Sequence, residues 1–317
     1  MGHAEDREAR TGCTAVLGPF RAAAEVRGQA TGTREMDVLH GEHVVRRVDA
    51  ILLTGGSAFG LGAADGVMEW LEERGRGFET PAARVPIVPT AVLYDLGVGD
   101  GRVRPGPAMG RRAADAASRD PVPEGRRGAG IGATVGNLLG PEGVEPGGVG
   151  SWAVRRGEHT VGALAVVNAF GDVRDGDGGV LAGARGTEGE HADTLATLAD
   201  GPDPAGWSAG ENTTLLVVAT DRPVSRPGLR SVARQAMNAV TRRVVPSGTL
   251  FDGDVAFALS TGGLSGAESD AGRGEPPPGS DPGELMGLGA AAQVAAERAV
   301  ERAVTAGDGP ASDGGDG

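Results

Sequence analysis

The chain has 317 residues, 57 of them glycine and 3% aromatic, with a formal charge of −13. A polypeptide of this length can bury a large core, as one domain or two intimate lobes, built here mainly from Val, Leu and Ala. The acidic balance excludes the basic face that nucleic acid or an anionic membrane requires, and the single Cys13 excludes an intrachain disulfide or a multi-cysteine zinc site.

All 30 basic residues are arginine, because the chain contains no lysine. That removes Schiff-base chemistry, a Walker phosphate lysine and a lysine general base together. Catalysis, if present, must use hydroxyls, carboxylates, amides, a chain amine, Tyr or His. Of the histidines only His40 and His43 are spaced as metal ligands could be, and both read as loop residues. No metal and no cofactor is expected. No run is long and apolar enough to span a membrane, and Met1-Gly2-His3-Ala4-Glu5-Asp6-Arg7 is too charged for a secretory signal. The expectation is a soluble cytoplasmic protein.

Taken in order, Thr14-Ala15-Val16-Leu17 reads as a strand, followed by Gly-punctuated chain to Gly32-Thr33-Arg34-Glu35. Val48 to Leu53 is an apolar strand running into Thr54-Gly55-Gly56-Ser57-Ala58-Phe59-Gly60. A helix over roughly 61–74 follows, with Ala63, Val67, Trp70 and Leu71 on one face. Strand, glycine turn and helix resemble a phosphate cradle or a serine nucleophile elbow. The second glycine is one place too far for the elbow, and no lysine follows for the cradle. Tight strand-to-helix geometry is the reading, with backbone N–H groups there available to line a pocket.

The apolar stretch 85–96 holds the only tyrosine, Tyr94, which reads as a core residue. A helix is predicted near 107–118. The glycines of 128–137 only brush past the dinucleotide fingerprint, because no strand precedes them and no helix clearly follows. Val161–Gly171 reads as a strand with Asn168 at its end, where asparagine usually forms a turn. Residues 172–210 read as a mobile connector with a short helix near 190–199. Helices are predicted over 226–243 and 284–306. Asp252-Gly253, between apolar runs, is a hairpin signal. Residues 263–283 read as a disordered excursion and 307–317 as a flexible tail.

One stretch organises the rest. Gly210-Glu211-Asn212 is polar, and Thr213-Thr214-Leu215-Leu216-Val217-Val218-Ala219-Thr220 is an apolar strand, so a hydroxyl sits where a loop becomes core. If the peptide bond before Thr213 were broken, Thr213 would carry a nucleophilic Oγ and, on the same residue, an α-amine titrating near pH ~8 to serve as its base. The plainer reading is a loop ending in an ordinary strand.

Several motifs in order resemble those of the DmpA/β-aminopeptidase family of self-processing hydrolases, which includes the nylon-oligomer hydrolases. They are Thr11-Gly12-Cys13-Thr14, Gly32-Thr33-Arg34-Glu35, Leu53 to Gly60, Gly132-Ala133-Thr134-Val135-Gly136 and Glu211-Asn212-Thr213-Thr214-Leu215. The resemblance implies a four-layer αββα sandwich of the DmpA/ornithine acetyltransferase type. It implies one cut between Asn212 and Thr213, giving chains 1–212 and 213–317 of a single hydrolase domain. Thr213 would be the nucleophile, Asn168 the oxyanion donor, and Asp252 and Asp254 the holders of the new terminus. Tyr94 would line the pocket.

Small peptides or amide oligomers would be the substrates, and processed protomers would form a homotetramer. One departure stands out. Where the family usually has lysine after Gly-Ala-Thr-Val-Gly, this chain has Asn137. Arg126 or Arg127 would have to supply that charge. Slower processing and turnover are expected, and an uncut homologue that binds peptide-like ligands is the alternative.

Overall fold

The computed structural model describes residues 1–40, 43–186, 188–201, 212–263 and 281–307. Two sheets joined by one long strand form its middle. Strand Thr11–Val26 serves both: its first part pairs antiparallel with Val48–Thr54, and its last residues pair antiparallel with Val255–Ser260. The register slips between Leu17 and Phe20, around Gly18-Pro19, where proline has no N–H to give the ladder. On the far side the first sheet continues through Thr90–Val92 to Thr33–Arg34. The second continues from Val255–Ser260 through Thr213–Thr220 and His159–Asn168 to Gly148–Arg156.

Alternation along each strand builds the layers. Ile51 and Leu53 share a core with Leu164, Val166, Leu215, Val217 and Phe257, which places that core between the sheets. Ala50 and Leu52, on the opposite face, pack with Val67 and Leu71 of helix Ala63–Glu72 and with Met109 and Ala113 of helix Pro107–Asp115. Leu216 and Val218 pack with Leu229, Val232 and Ala236 of helix Arg226–Arg243 and with Ala292 and Val300 of helix Pro282–Thr305. Helix, sheet, sheet, helix is the expected αββα sandwich. Both faces of the central strands are covered, which is why they read as unbroken apolar runs.

The last two helices are clasped by a buried ion network. The Arg243 guanidinium donates to Glu297 at 2.7 Å and to Glu301 at 2.7 Å, and both carboxylates are nearly buried.

Two expectations are corrected. Residues 172–186 and 188–200 are more than a mobile connector: besides the expected short helix, found at Thr194–Asp200, they carry strands Asp172–Arg174 and Val180–Ala182. Fully buried Asp172 ties them together, accepting from the Thr194 hydroxyl at 2.6 Å, its N–H at 2.8 Å and the Ala184 N–H at 3.2 Å. Asp172 and buried Thr194 thus satisfy each other inside the fold. Pro282 and Gly283, assigned to the excursion, instead open the last helix, capped by Asp281 accepting from the Glu284 N–H at 2.9 Å. The rest of the predicted excursion (264–280), most of the predicted tail (308–317) and positions 202–211 lie outside the described residues. Among the described residues, no helix is long and apolar enough to cross a membrane.

Candidate active site

The site lies where strand Thr213–Thr220 begins. Its antiparallel neighbour ends there, so Asn168 pairs with Thr213 across the ladder. Its parallel neighbour starts there, and Asn212 bridges Asp252. Parallel strands require a long crossover, supplied here by helix Arg226–Arg243. Asp252-Gly253 is therefore the entry to a core strand and not a hairpin turn. Asn168, Asn212, Thr213, Asp252 and Asp254 are all buried.

The Asn212 carbonyl oxygen carries two donors. The Thr213 hydroxyl reaches it at 2.5 Å, and the Gly253 N–H at 3.0 Å. Only glycine fits between them: a Cβ at position 253 would stand 2.9 Å from Thr213 Oγ1 and 2.8 Å from the Ala30 carbonyl oxygen. The next residue along, Thr214, donates its N–H to Asp254 Oδ1 at 2.6 Å. Asp252 Oδ2 accepts from the Thr249 N–H at 2.6 Å. The backbone of both acids is held by the segment leaving strand Thr11–Val26, through Ala30 N–H to Asp252 O at 3.1 Å and Arg27 N–H to Asp254 O at 2.8 Å.

On the other side lie amides. Asn168 Oδ1 accepts from the Thr134 N–H at 2.9 Å, and its Nδ2 donates to the Tyr94 carbonyl at 3.2 Å. Tyr94 thus joins the site through its backbone, and its side chain is only partly buried. Asn137 Nδ2 donates to Asn212 Oδ1 at 2.9 Å and to the Ala169 carbonyl at 3.3 Å, while its Oδ1 accepts from the Thr134 hydroxyl at 3.0 Å. All seven positions singled out in the sequence, counting Tyr94 by its backbone, are therefore drawn to one strand end.

The electrostatics are set by two carboxyls flanking one glycine. Burial, and then the neighbouring Asp252 charge, push the Asp254 carboxyl up to about 8. Burial also raises Asp252, against the Thr249 hydrogen bonds that favour its ionised form. The pair therefore retains a proton near neutral pH. The cation whose field opposes this at Asp254 is Arg27. Arg127, one of the two expected to replace a lysine, instead pairs with Glu5 at 3.5 Å. Chemically, a hydroxyl rests on a peptide carbonyl already hydrogen-bonded at oxygen, with a proton-bearing carboxyl one residue away. Those are the parts acyl transfer needs.

Gly253, Thr134 and Arg27 escaped the sequence reading. Gly253 had a local turn explanation, and Thr134 acts largely through its backbone, which no side-chain pattern announces. The glycine turn at 55–56 proves structural. The Gly56 N–H donates to buried Asp95 at 2.7 Å, and a Cβ on Gly55 would lie 2.0 Å from the same carboxylate. The Thr11 hydroxyl also donates to Asp95, at 2.7 Å, and the Gly56 N–H, one of the backbone donors expected to line a pocket, is taken up by the same carboxylate.

A family model described as peptidase family S58 matches residues 1–315. A Mycobacterium tuberculosis (strain H37Rv) protein described as an uncharacterized aminopeptidase is 42% identical over 262 residues, covering 80% of this chain and 74% of that protein. A 6-aminohexanoate-oligomer endohydrolase of Paenarthrobacter ureafaciens is 32% identical over 268 residues, covering 82% and 72%. Among solved structures, a Burkholderia β-aminopeptidase superposes with a TM-score of 0.67 at 22% identity, covering 95% of this chain and 82% of the other. The L-aminopeptidase D-Ala-esterase/amidase of Ochrobactrum anthropi, described as a variant of the Ntn hydrolase fold, gives 0.67 at 18% identity, covering 96% and 87%.

Proposed function

The chain belongs to peptidase family S58 and is a hydrolase of peptide or amide bonds; we propose that it makes its own catalytic terminus by cutting itself between Asn212 and Thr213. The observation that carries this reading is the doubly hydrogen-bonded Asn212 carbonyl, with Thr213 Oγ1 at 2.5 Å and the Gly253 N–H at 3.0 Å. Thr213 Oγ1 adds to that carbonyl carbon, and the Gly253 N–H supports the oxygen as charge develops. The amide C–N bond breaks as the Thr213 nitrogen gains a proton, and an ester remains between Asn212 and Thr213 Oγ1. Water cleaves the ester, leaving the Asn212 carboxylate and a Thr213 bearing both hydroxyl and α-amine.

The charge balance favours the cut. In the uncut chain Asp252 and Asp254 are buried like charges sharing a proton. The new ammonium at Thr213 sets a positive charge beside them and relieves their repulsion. In turnover, Thr213 Oγ1 attacks the substrate carbonyl and the α-amine accepts the hydroxyl proton, then passes it to the leaving amine. The Asn168 amide supports the oxyanion. Substrates are short peptides losing N-terminal residues, or related amide oligomers, and processed protomers assemble as a tetramer.

Asn137 favours one alternative. A neutral amide where the family resemblance expects lysine suits an uncut homologue that holds peptide-like ligands. Denaturing electrophoresis with intact-mass measurement decides between them. Fragments 1–212 and 213–317, with Thr213→Ala remaining whole, support the enzyme. A persistent full-length chain without amide hydrolysis supports the binder, and normal cutting of Thr213→Ala removes Thr213 as nucleophile. Sedimentation of the processed protein checks the tetramer.

A further inference from the structure

Self-cleavage and substrate hydrolysis, as proposed above, pass through an ester on the same oxygen. When Thr213 Oγ1 takes up the Asn212 acyl group, the Asn212 side chain fills the space beside that ester. When the freed Thr213 takes up a substrate acyl group, its carbonyl is bonded to the same atom. The substrate side chain then enters the space Asn212 has left. The uncut chain therefore displays how this pocket holds an acyl residue.

What it displays is a carbonyl-reading contact. Asn212 is 3% exposed, and its Oδ1 accepts from Asn137 Nδ2 at 2.9 Å. Asn137 is held one way round, because its Oδ1 accepts from the Thr134 hydroxyl at 3.0 Å while its Nδ2 also reaches the Ala169 carbonyl at 3.3 Å. Both contacts turn the N–H side of this amide toward the acyl residue. An aliphatic side chain there leaves a partly buried donor without that acceptor, and the hydrogen bond is lost. An aspartyl carboxylate brings a charge that a neutral amide cannot offset.

Resting on the hydrolase reading, we infer that Asn137 is a specificity residue and that the enzyme prefers acyl residues with a carboxamide oxygen on the γ carbon, asparaginyl amides above all. Both reactions balance with water as the only co-reactant. The amide C–N bond breaks, the ester forms and is hydrolysed, and the hydroxyl proton leaves on the amine.

The test compares kcat/KM of the self-cleaved enzyme on the p-nitroanilides of L-asparagine, L-leucine, L-alanine and L-aspartate. Asparagine is expected to exceed leucine by about 10-fold or more. In Asn137→Leu that ratio should collapse to about one, a readout independent of any general loss of rate. Should this variant fail to process, free L-asparagine should inhibit alanine-anilide hydrolysis by the parent enzyme at about 10-fold lower concentration than L-leucine. A parent ratio within about twofold, an undiminished ratio in Asn137→Leu, or equal inhibition by the two amino acids overturns the inference. Hydrolysis of every anilide without preference overturns it alone. Hydrolysis of none by a chain that stays in one piece overturns the hydrolase reading as well.

Discussion

Replacing Asp254 by asparagine in a chain unable to cut itself, Thr213→Ala/Asp254→Asn, should stabilise the fold near neutral pH. Burial and the Asp252 charge raise the Asp254 carboxyl from 3.8 to about 8. Between those values the folded chain keeps a proton that the unfolded chain has released, so stability falls as pH rises from about 4 to about 8. At pH 7 the penalty relative to a neutral isostere is about 4 kcal/mol, taking roughly three pH units at about 1.36 kcal/mol each. Entry of water and side-chain relaxation reduce it, and half that amount is still readily measured. Asparagine keeps an oxygen where Thr214 N–H now meets Asp254 Oδ1 at 2.6 Å, so the hydrogen bond survives while the charge goes. Urea unfolding followed by far-ultraviolet circular dichroism, between about pH 5 and about pH 8, compares the double variant with Thr213→Ala alone. The double variant should lead by about 1.5 kcal/mol at pH 5 and by a steadily growing margin above it. Parallel profiles, or a less stable double variant at pH 7, would refute the claim that a buried, proton-sharing acid pair sits beside the cut.

Asn168→Ala in the processed enzyme should lower kcat by about 10²–10³-fold, as loss of an oxyanion donor does, and an unchanged kcat takes Asn168 out of that role. Gly253→Ala places a methyl group 2.9 Å from Thr213 Oγ1 and 2.8 Å from the Ala30 carbonyl oxygen. Self-cleavage should slow by about 100-fold in a gel time course, the effect expected when an oxyanion donor is displaced, whereas parental kinetics would dismiss the Gly253 N–H as donor. Arg243→Ala removes the buried partner of Glu297 and Glu301, which now hold its guanidinium at 2.7 Å each and keep Arg242 at 2.8 Å and Arg298 at 2.7 Å. The loss should cost about 1–3 kcal/mol in urea unfolding, as for a buried polar group deprived of one partner, and no measurable change would mean that Arg242 and Arg298 suffice.

Much of this protein was determined by short-range features of the chain. Val48–Thr54 and Thr213–Thr220 are strands because β-formers run uninterrupted there, and Arg226–Arg243 is a helix because its apolar residues recur at helical spacing. The step from polar Asn212 into that core strand set a hydroxyl where loop becomes core, and the absence of lysine narrowed the chemistry, but only the family resemblance made Thr213 the expected nucleophile. The four-layer architecture came from the family resemblance that the ordered motifs carry. Tertiary structure decided the pairings. Asp254 meets the Thr214 N–H forty residues away, and Asn137 meets Asn212 across 75 residues. Locally, Asp252-Gly253 carries a hairpin signal. It is a parallel strand's entry only because both faces of the neighbouring strands are buried, and their apolar registers leave one way to align. The proton shared near Asp254 belongs to the same category. It arises from lost solvent and a neighbouring charge, quantities that exist only once distant segments have packed together.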